Sequence, residues 1–358
     1  MKTVASFEIG YQQYLAPDGR PVQDLPAFAQ DRDTMLALYR AMSLTRVFDT
    51  KAIALQRTGQ LGTYASSLGH EATHCGIGHA MIEADVFCPM YREYGAQMLR
   101  GVKMSEILLF WGGDERGNDF SGPAHDFPWC VPIATQYLHA SGAATALKYN
   151  GIHGAAVSVI GDGGTSQGDF YEALNVAGAW QLPAVFVVAN NKWAISVPIE
   201  AQTACETLAQ KGIAAGITSV QVDGNDVVAV RDVMGAALER ARSGGGPTLV
   251  EAMTYRLSDH TTADDATRYR PKEEVEENWA KEPLIRTRQY LMDQGWWDEA
   301  REEAMLAELR AEVDEAVEEY KAAGKPPITD MFDHMFAEMP ESLAEQRQAA
   351  LDAEAAHG

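Results

Sequence analysis

Residues 155–198 read AAVSVIGDGGTSQGDFYEALNVAGAWQLPAVFVVANNKWAISVP. Two uninterrupted apolar runs, one closing on glycines at 161–164 and one on Asn190-Asn191, enclose a stretch in which Phe170, Leu174 and Ala177 recur at helical spacing. That is a strand, a crossover helix and a second strand. The alternation continues with a helix around TLAQKGIAAG, a strand at SVQVDG, a helix at DVVAVRDVMGAALERARSGGG and a strand at PTLVEAMTYR. Strands that are apolar throughout, rather than on alternate residues, are covered on both faces. The expected fold class is therefore α/β, a parallel sheet flanked by helices on both faces, with an N-terminal arm and C-terminal helices around it. Ligands of such sheets sit beyond the carboxyl ends of the strands.

Those ends carry the chemistry. Glycines after a strand let the backbone approach a phosphate, and the start of the following helix favours an anion. Asp162 and Asn191 close neighbouring strands, 191 − 162 = 29 positions apart, the length of one strand-helix-strand unit. Two oxygen donors thereby converge. Magnesium suits such a site because it takes hard oxygen ligands and shares them with phosphates, and the carbonyl of Trp193 offers a third protein oxygen. Gly161-Asp162-Gly163-Gly164 alone is equally compatible with a glycine-rich turn capped by Asp. Neither GxGxxG after a strand nor GxxxxGK[ST] occurs, so the common alternative phosphate motifs are excluded.

Outward from this unit, residues 1–30 are turn-rich (Pro17-Asp18-Gly19, Pro21, Pro26) and read as an extended arm. From Asp33, Met35, Leu38, Met42, Val47, Ala52 and Leu55 recur at helical steps up to Gly59. Residues 60–140 give no clear periodicity, and WGGDERGNDFSGPAHDFPW reads as a long loop. After residue 270 the pattern is helical and acidic: ten carboxylates and two arginines lie between Asp298 and Tyr320, interleaved with Met305, Leu309, Val313 and Val317. A solvated face on a packed helix explains this best. The expected organisation is an arm at 1–30, a diphosphate-binding α/β domain at 31–270 and an acidic helical region at 271–358.

The 358 residues carry 51 acidic against 29 basic side chains, a formal charge of −22, which disfavours a nucleic-acid partner. With 46% hydrophobic residues the chain can bury a large core. No stretch approaches the roughly 18 apolar residues of a membrane span, and Glu8 interrupts the N-terminus before any signal-like run. The four cysteines, Cys75, Cys88, Cys130 and Cys205, form no CxxC motif or Cys/His cluster. A cytoplasmic protein with reduced thiols, and no membrane partner, is expected.

GDGGTSQGDFYEALNVAGAWQLPAVFVVANNKWAISVP resembles the thiamin-diphosphate motif, GDG followed after about thirty residues by NN, of the alpha subunits of 2-oxo-acid dehydrogenase first components. The likeness is greatest to the pyruvate-type alpha subunits of two-chain bacterial enzymes. It extends from LALYRAMSLTRVFDTKAIALQRTGQ to PLIRTRQYL and takes in MYREYG, ATQYLHASG and HTTADDATRYRPKEE. The resemblance implies that Asp162, Asn191 and the Trp193 carbonyl hold Mg2+. It further implies that Tyr91, Arg92, Ile133, Gly163, Gly164, Ala194 and His260 bind thiamin diphosphate. His260 would also be catalytic, as the histidine of the mobile loop at the active-site mouth.

The same resemblance implies the reaction: oxidative decarboxylation of pyruvate, with the acyl group passed to the lipoyl group of a dihydrolipoyl acyltransferase. This chain has one parallel-sheet unit, so the half that holds the pyrimidine ring, with its activating glutamate, would come from a beta subunit in an alpha2-beta2 heterotetramer. A branched-chain 2-oxo-acid dehydrogenase alpha subunit shares nearly all the motifs, and a noncatalytic assembly subunit is the alternative of another class. The chain departs from the pattern in two places. The usual GQEA is Gly69-His70-Glu71-Ala72, which with His74 and His79 puts a histidine face on a helix best read as packing, and the loop at His125 lacks HxH.

Overall fold

The computed structural model describes residues 1–357. Its centre is a six-stranded sheet, parallel throughout, in the order Gly10–Gln12, Thr218–Asp223, Thr248–Met253, Ala184–Asn190, Ala156–Gly161 and Val86–Cys88. The strands are β1 (Gly10–Gln12), β2 (Val86–Cys88), β3 (Ala156–Gly161), β4 (Ala184–Asn190), β7 (Thr218–Asp223) and β8 (Thr248–Met253). A separate two-residue hairpin pairs β5 (Trp193–Ala194) with β6 (Val197–Pro198).

The two apolar runs of 155–198 are β3 and β4, in direct register from Ala156 against Ala184 to Gly161 against Ala189. Their side chains divide by the two-residue period of a strand. Ala156, Ile160, Phe186 and Val188 pack beneath the helices Thr135–Tyr149 and Gly168–Trp180, with Tyr137, Phe170 and Leu174. Val157, Val159, Val185 and Val187 meet Ile77 of helix Glu71–Ala80 and Val230, Met234 and Leu238 of helix Val227–Arg242. Both faces are buried, as strands of continuous apolar sequence require.

The long N-terminal helix runs Arg32–Arg57, opened by Asp31, whose carboxylate accepts the Thr34 backbone N–H at 2.9 Å. The acidic helix Glu299–Ala322 lies against it, burying Met305, Leu309, Val313 and Val317, while Glu302 accepts the Tyr39 hydroxyl and the Trp297 indole N–H. Beyond residue 270 only helices follow.

Two strands escape a reading by pattern. Residues 1–30 are expected to form an extended arm; within them Gly10–Gln12 form the outer strand of the sheet against Val220–Val222, and Ala27–Gln30 form a 3-10 helix. Asp226, the cap of helix Val227–Arg242, also accepts the backbone N–H groups of Tyr14 (2.7 Å) and Leu15 (2.6 Å), and Leu15 is fully buried. The chain start is thus bound to the sheet's edge. Three-residue strands such as β1 and β2 carry too few alternations to be seen in sequence.

Among the described residues, no helix is long and apolar enough to cross a membrane. The four cysteines are unpaired.

Candidate active site

Four strands of this sheet deliver their following residues to one cavity at its carboxyl edge. After β2 come Met90, Tyr91 and Arg92. After β3 comes the tight turn Asp162–Ser166; after β4, Asn191 to Ile195; and after β8, the loop that carries His260. All ten site residues expected from the sequence (Tyr91, Arg92, Ile133, Asp162, Gly163, Gly164, Asn191, Trp193, Ala194 and His260) line it. Its volume is about 240 Å³, below the roughly 300–1,000 Å³ of a pocket that encloses a whole ligand. Part of a ligand fits, and the rest must extend outward.

The two loops that form its floor are pressed together. A Cβ on Gly163 would stand 2.7 Å from the Cβ of Ala194, and one on Gly164 would stand 2.9 Å from Ile160 Cδ1. Lys192 (φ +74°) and Ile195 (φ +55°) hold left-handed backbone after β4, and Ala134 (φ +72°) does so beside Ile133. For a β-branched residue such as Ile195 that conformation is a real strain. Arg256, wholly buried, holds it in place: its guanidinium donates to the carbonyls of Trp193 (3.2 Å) and Ile195 (2.8 Å) and to the Tyr269 hydroxyl (2.9 Å). The Trp193 carbonyl therefore already accepts one hydrogen bond, leaving one lone pair for a cation.

The charges in this cavity are uncompensated. Asp162 is 1% exposed, and among the described residues no Lys, Arg or His forms an ion pair with it. Its carboxylate accepts only the Gln202 amide at 2.6 Å and leans on the backbone N–H groups of Asp162 and Asn191. Burial prevails, and its pKa is raised. Arg92, 3% exposed, has no carboxylate either: it donates to the carbonyls of Ser66 and His260 and faces His260 Nδ1 at 3.4 Å. A buried anion and a buried cation, each without an ion-pair partner among the described residues, share one cavity. Such groups are costly unless a ligand meets them. The cavity fits a ligand that brings a metal cation to Asp162 and an anion to Arg92.

His260 lines the cavity, edge-on to Tyr91 with ring centroids 6.4 Å apart. Burial first, then the positive charges of Arg92 and Arg256, push its pKa down to about 4, so the ring is neutral at physiological pH. Arg92 can only donate, so Nδ1 is the bare nitrogen and Nε2 carries the proton. The loop is ordered by Asp264, which accepts the His260 backbone N–H at 2.9 Å and the Tyr269 hydroxyl, and by Thr262, whose N–H reaches the Tyr64 carbonyl at 2.8 Å.

Several neighbours of the site had no signal in the pattern. Gln202 reaches Asp162 from forty residues away, and Arg256 reads in sequence as an ordinary strand-end residue. His70 was legible only as a departure from GQEA; its Nε2 lies 3.1 Å from the Asn191 amide nitrogen. Among the described residues, the histidines join no metal-binding group. His74 stacks on His70 in the core, and His125 is exposed and outside the cavity.

Gly69 sets the position of His70. Its φ is +95°, and a Cβ there would lie 2.3 Å from the Tyr255 carbonyl. Gly69→Ala is expected to lower unfolding free energy by about 2–4 kcal/mol through strain and overpacking. Chemical denaturation measures this; an unchanged midpoint would mean that the turn re-forms without the glycine.

Comparisons with known proteins agree on one kin group. A family model described as "Dehydrogenase E1 component" matches residues 39–329. The chain is 40% identical over 346 residues to the "Pyruvate dehydrogenase E1 component subunit alpha" of Staphylococcus aureus (strain Mu50 / ATCC 700699), covering 96% of this chain and 93% of that one. It is 42% identical over 316 residues to the protein of that name from Bacillus subtilis (strain 168), covering 88% and 85% respectively.

Proposed function

The chain belongs to the dehydrogenase E1 component family, and from that premise we propose that it is the alpha subunit of a pyruvate dehydrogenase. It would bind thiamin diphosphate with Mg2+, decarboxylate pyruvate oxidatively and pass the acyl group to the lipoyl group of a dihydrolipoyl acyltransferase. The observation that carries this reading is the pair of buried charges, Asp162 and Arg92, that line one cavity without an ion-pair partner among the described residues. The names of the relatives favour pyruvate over a branched-chain acid. A noncatalytic assembly subunit would have no use for either unpaired charge.

Each residue has a definite task. Asp162 and the Asn191 side-chain oxygen hold the magnesium, with the free lone pair of the Trp193 carbonyl as third donor. Arg92 binds the diphosphate oxygens through its guanidinium, and Tyr91 packs under it, 5.6 Å from ring centroid to guanidinium carbon. Gly163 and Gly164 keep the turn flat enough for the diphosphate to lie against it. Ile133 and Ala194 border the same space on its apolar side. When bound, thiamin diphosphate supplies a nucleophilic carbon for the 2-oxo group and an electron sink for decarboxylation. His260 keeps its proton on Nε2, where it serves the sulfur of an incoming lipoyl group.

The rim supports a beta subunit as partner. Ile133 (40%) and Ile195 (55%), which line the cavity, are exposed, as are Val131 (51%) and Val197 (42%) two residues from them in sequence, apolar surface of the kind that a second protein covers. Turnover of pyruvate against 3-methyl-2-oxobutanoate by this chain with its beta subunit tests the substrate. Pyruvate is expected to be preferred; preference for the branched acid would overturn that assignment. One or two methylenes are worth only about 1–3 kcal/mol, so a 10- to 200-fold ratio is the expected scale.

His260→Ala is expected to lower lipoyl acylation by about 10²–10³-fold, the scale for losing one hydrogen-bond donor to charge that develops in the transition state. Decarboxylation read with an artificial electron acceptor should fall much less. Because the His260 pKa lies at about 4, the group is neutral above that value and should contribute no acidic limb between pH 5 and 8. Equal losses in both half-reactions would refute this division.

A further inference from the structure

We propose that His70 is a positioning residue for the metal-holding end of the cavity, with its bare Nε2 accepting the Asn191 amide N–H and thereby fixing which end of that amide faces the ligand. The inference rests on the proposed cofactor site and adds to it a residue outside the cavity lining.

An asparagine amide can be turned by half a rotation at almost no steric cost, yet only its oxygen can serve a cation. Two contacts decide the matter here. The Trp193 backbone N–H donates to Asn191 Oδ1 at 3.2 Å, and the amide nitrogen lies 3.1 Å from His70 Nε2. A backbone N–H can only donate, so the oxygen must face it; the nitrogen then points at His70, which must present a bare nitrogen. Turning the amide would set NH₂ against N–H on one side and oxygen against a bare nitrogen on the other. His70 and Trp193 thus act as a matched pair, and the oxygen keeps its second lone pair for the cation.

The surroundings hold the ring in place. His70 is 1% exposed at the start of helix Glu71–Ala80. His74 stacks on it with centroids 5.6 Å apart and planes 17° apart, which fixes the ring's orientation. Nδ1, which must carry the proton, is buried without a hydrogen-bond partner among the described residues. A buried group left so poorly satisfied is a cost the fold bears for the Nε2 contact.

The test is a Mg2+ titration of the assembled alpha and beta chains at fixed thiamin diphosphate, read by the change in tryptophan fluorescence, since Trp193 lines the cavity. His70→Leu removes the acceptor and is expected to weaken apparent Mg2+ affinity by about 10- to 100-fold, the scale for groups that orient a metal ligand. His70→Gln retains an acceptor and should restore affinity to within about threefold of wild type. Equal weakening by both variants would reduce His70 to a packing role and overturn the proposal, as would wild-type affinity in His70→Leu while Asp162→Ala binds no Mg2+. If Asp162→Ala binds Mg2+ normally, the site reading itself fails, a separate result. Should His70→Leu not assemble, solid-state NMR of the ¹⁵N-histidine-labelled wild-type assembly, with His70 assigned by its loss in His70→Gln, decides the point: a proton on Nε2 overturns the proposal, and a bare Nε2 sustains it.

Discussion

Replacing Asp162 with alanine is expected to abolish magnesium-dependent binding of thiamin diphosphate, with apparent affinity weakened by more than about 100-fold. Groups that merely orient a metal ligand are worth about 10- to 100-fold, and Asp162 would supply the ligand and its charge. Calorimetric titration of the assembled enzyme measures it; undiminished affinity would refute the site. The same variant makes a second, opposite forecast that separates loss of a ligand from loss of fold. In the folded chain without cofactor, burial raises the Asp162 pKa, while Gln202 and two backbone N–H groups offset that only in part. A carboxyl whose folded pKa exceeds its unfolded value contributes stability below the ordinary carboxyl range, and that contribution is lost as pH rises through the folded value. At neutral pH the ionised group is therefore a burden on the cofactor-free protein. Asp162→Ala should melt no lower than wild type there, and its stability should lack the contribution that this one group makes on acidification. A sharply lower melting temperature at pH 7 would assign Asp162 a structural role instead.

The second large effect is dependence on a partner chain. Alone, this chain is expected to turn over pyruvate at least about 10²–10⁴-fold more slowly than the alpha-beta assembly, the usual worth of one acid-base group, here the pyrimidine-activating glutamate supplied by the beta subunit. Cofactor affinity should fall as well, since a cavity of about 240 Å³ holds only part of such a ligand and its lining includes the exposed Ile133 and Ile195. Steady-state turnover and cofactor binding, each with and without the beta chain, check this. Full activity from the isolated chain would overturn the two-chain reading.

How much was legible before folding follows from how local each signal is. The runs AAVSVI and AVFVVAN could be read because continuous apolar sequence of strand length has few other uses, and helices between them force parallel pairing. Gly10–Gln12 and Val86–Cys88 could not, because a three-residue strand is specified by its neighbours β7 and β3 rather than by its own pattern. Asp162 and Asn191 were visible because both close strands one crossover apart, so adjacency in the sheet follows from the topology alone. Tyr91, Arg92 and His260 became visible through motifs shared with a family; as isolated residues they would pass for ordinary ones.

The sequence by itself determined the layered α/β architecture, the strand ends at which a ligand must sit and the residue types presented there, since all three follow from short-range periodicity and composition. The tertiary structure alone decided what those residues face. It left Asp162 and Arg92 buried without ion-pair partners among the described residues and set Arg256 on the carbonyls of a strained loop. It also brought His70 to the amide of Asn191 across 121 positions of chain. Such pairings depend on which groups lose their water and which find partners, and that is settled only when distant segments pack.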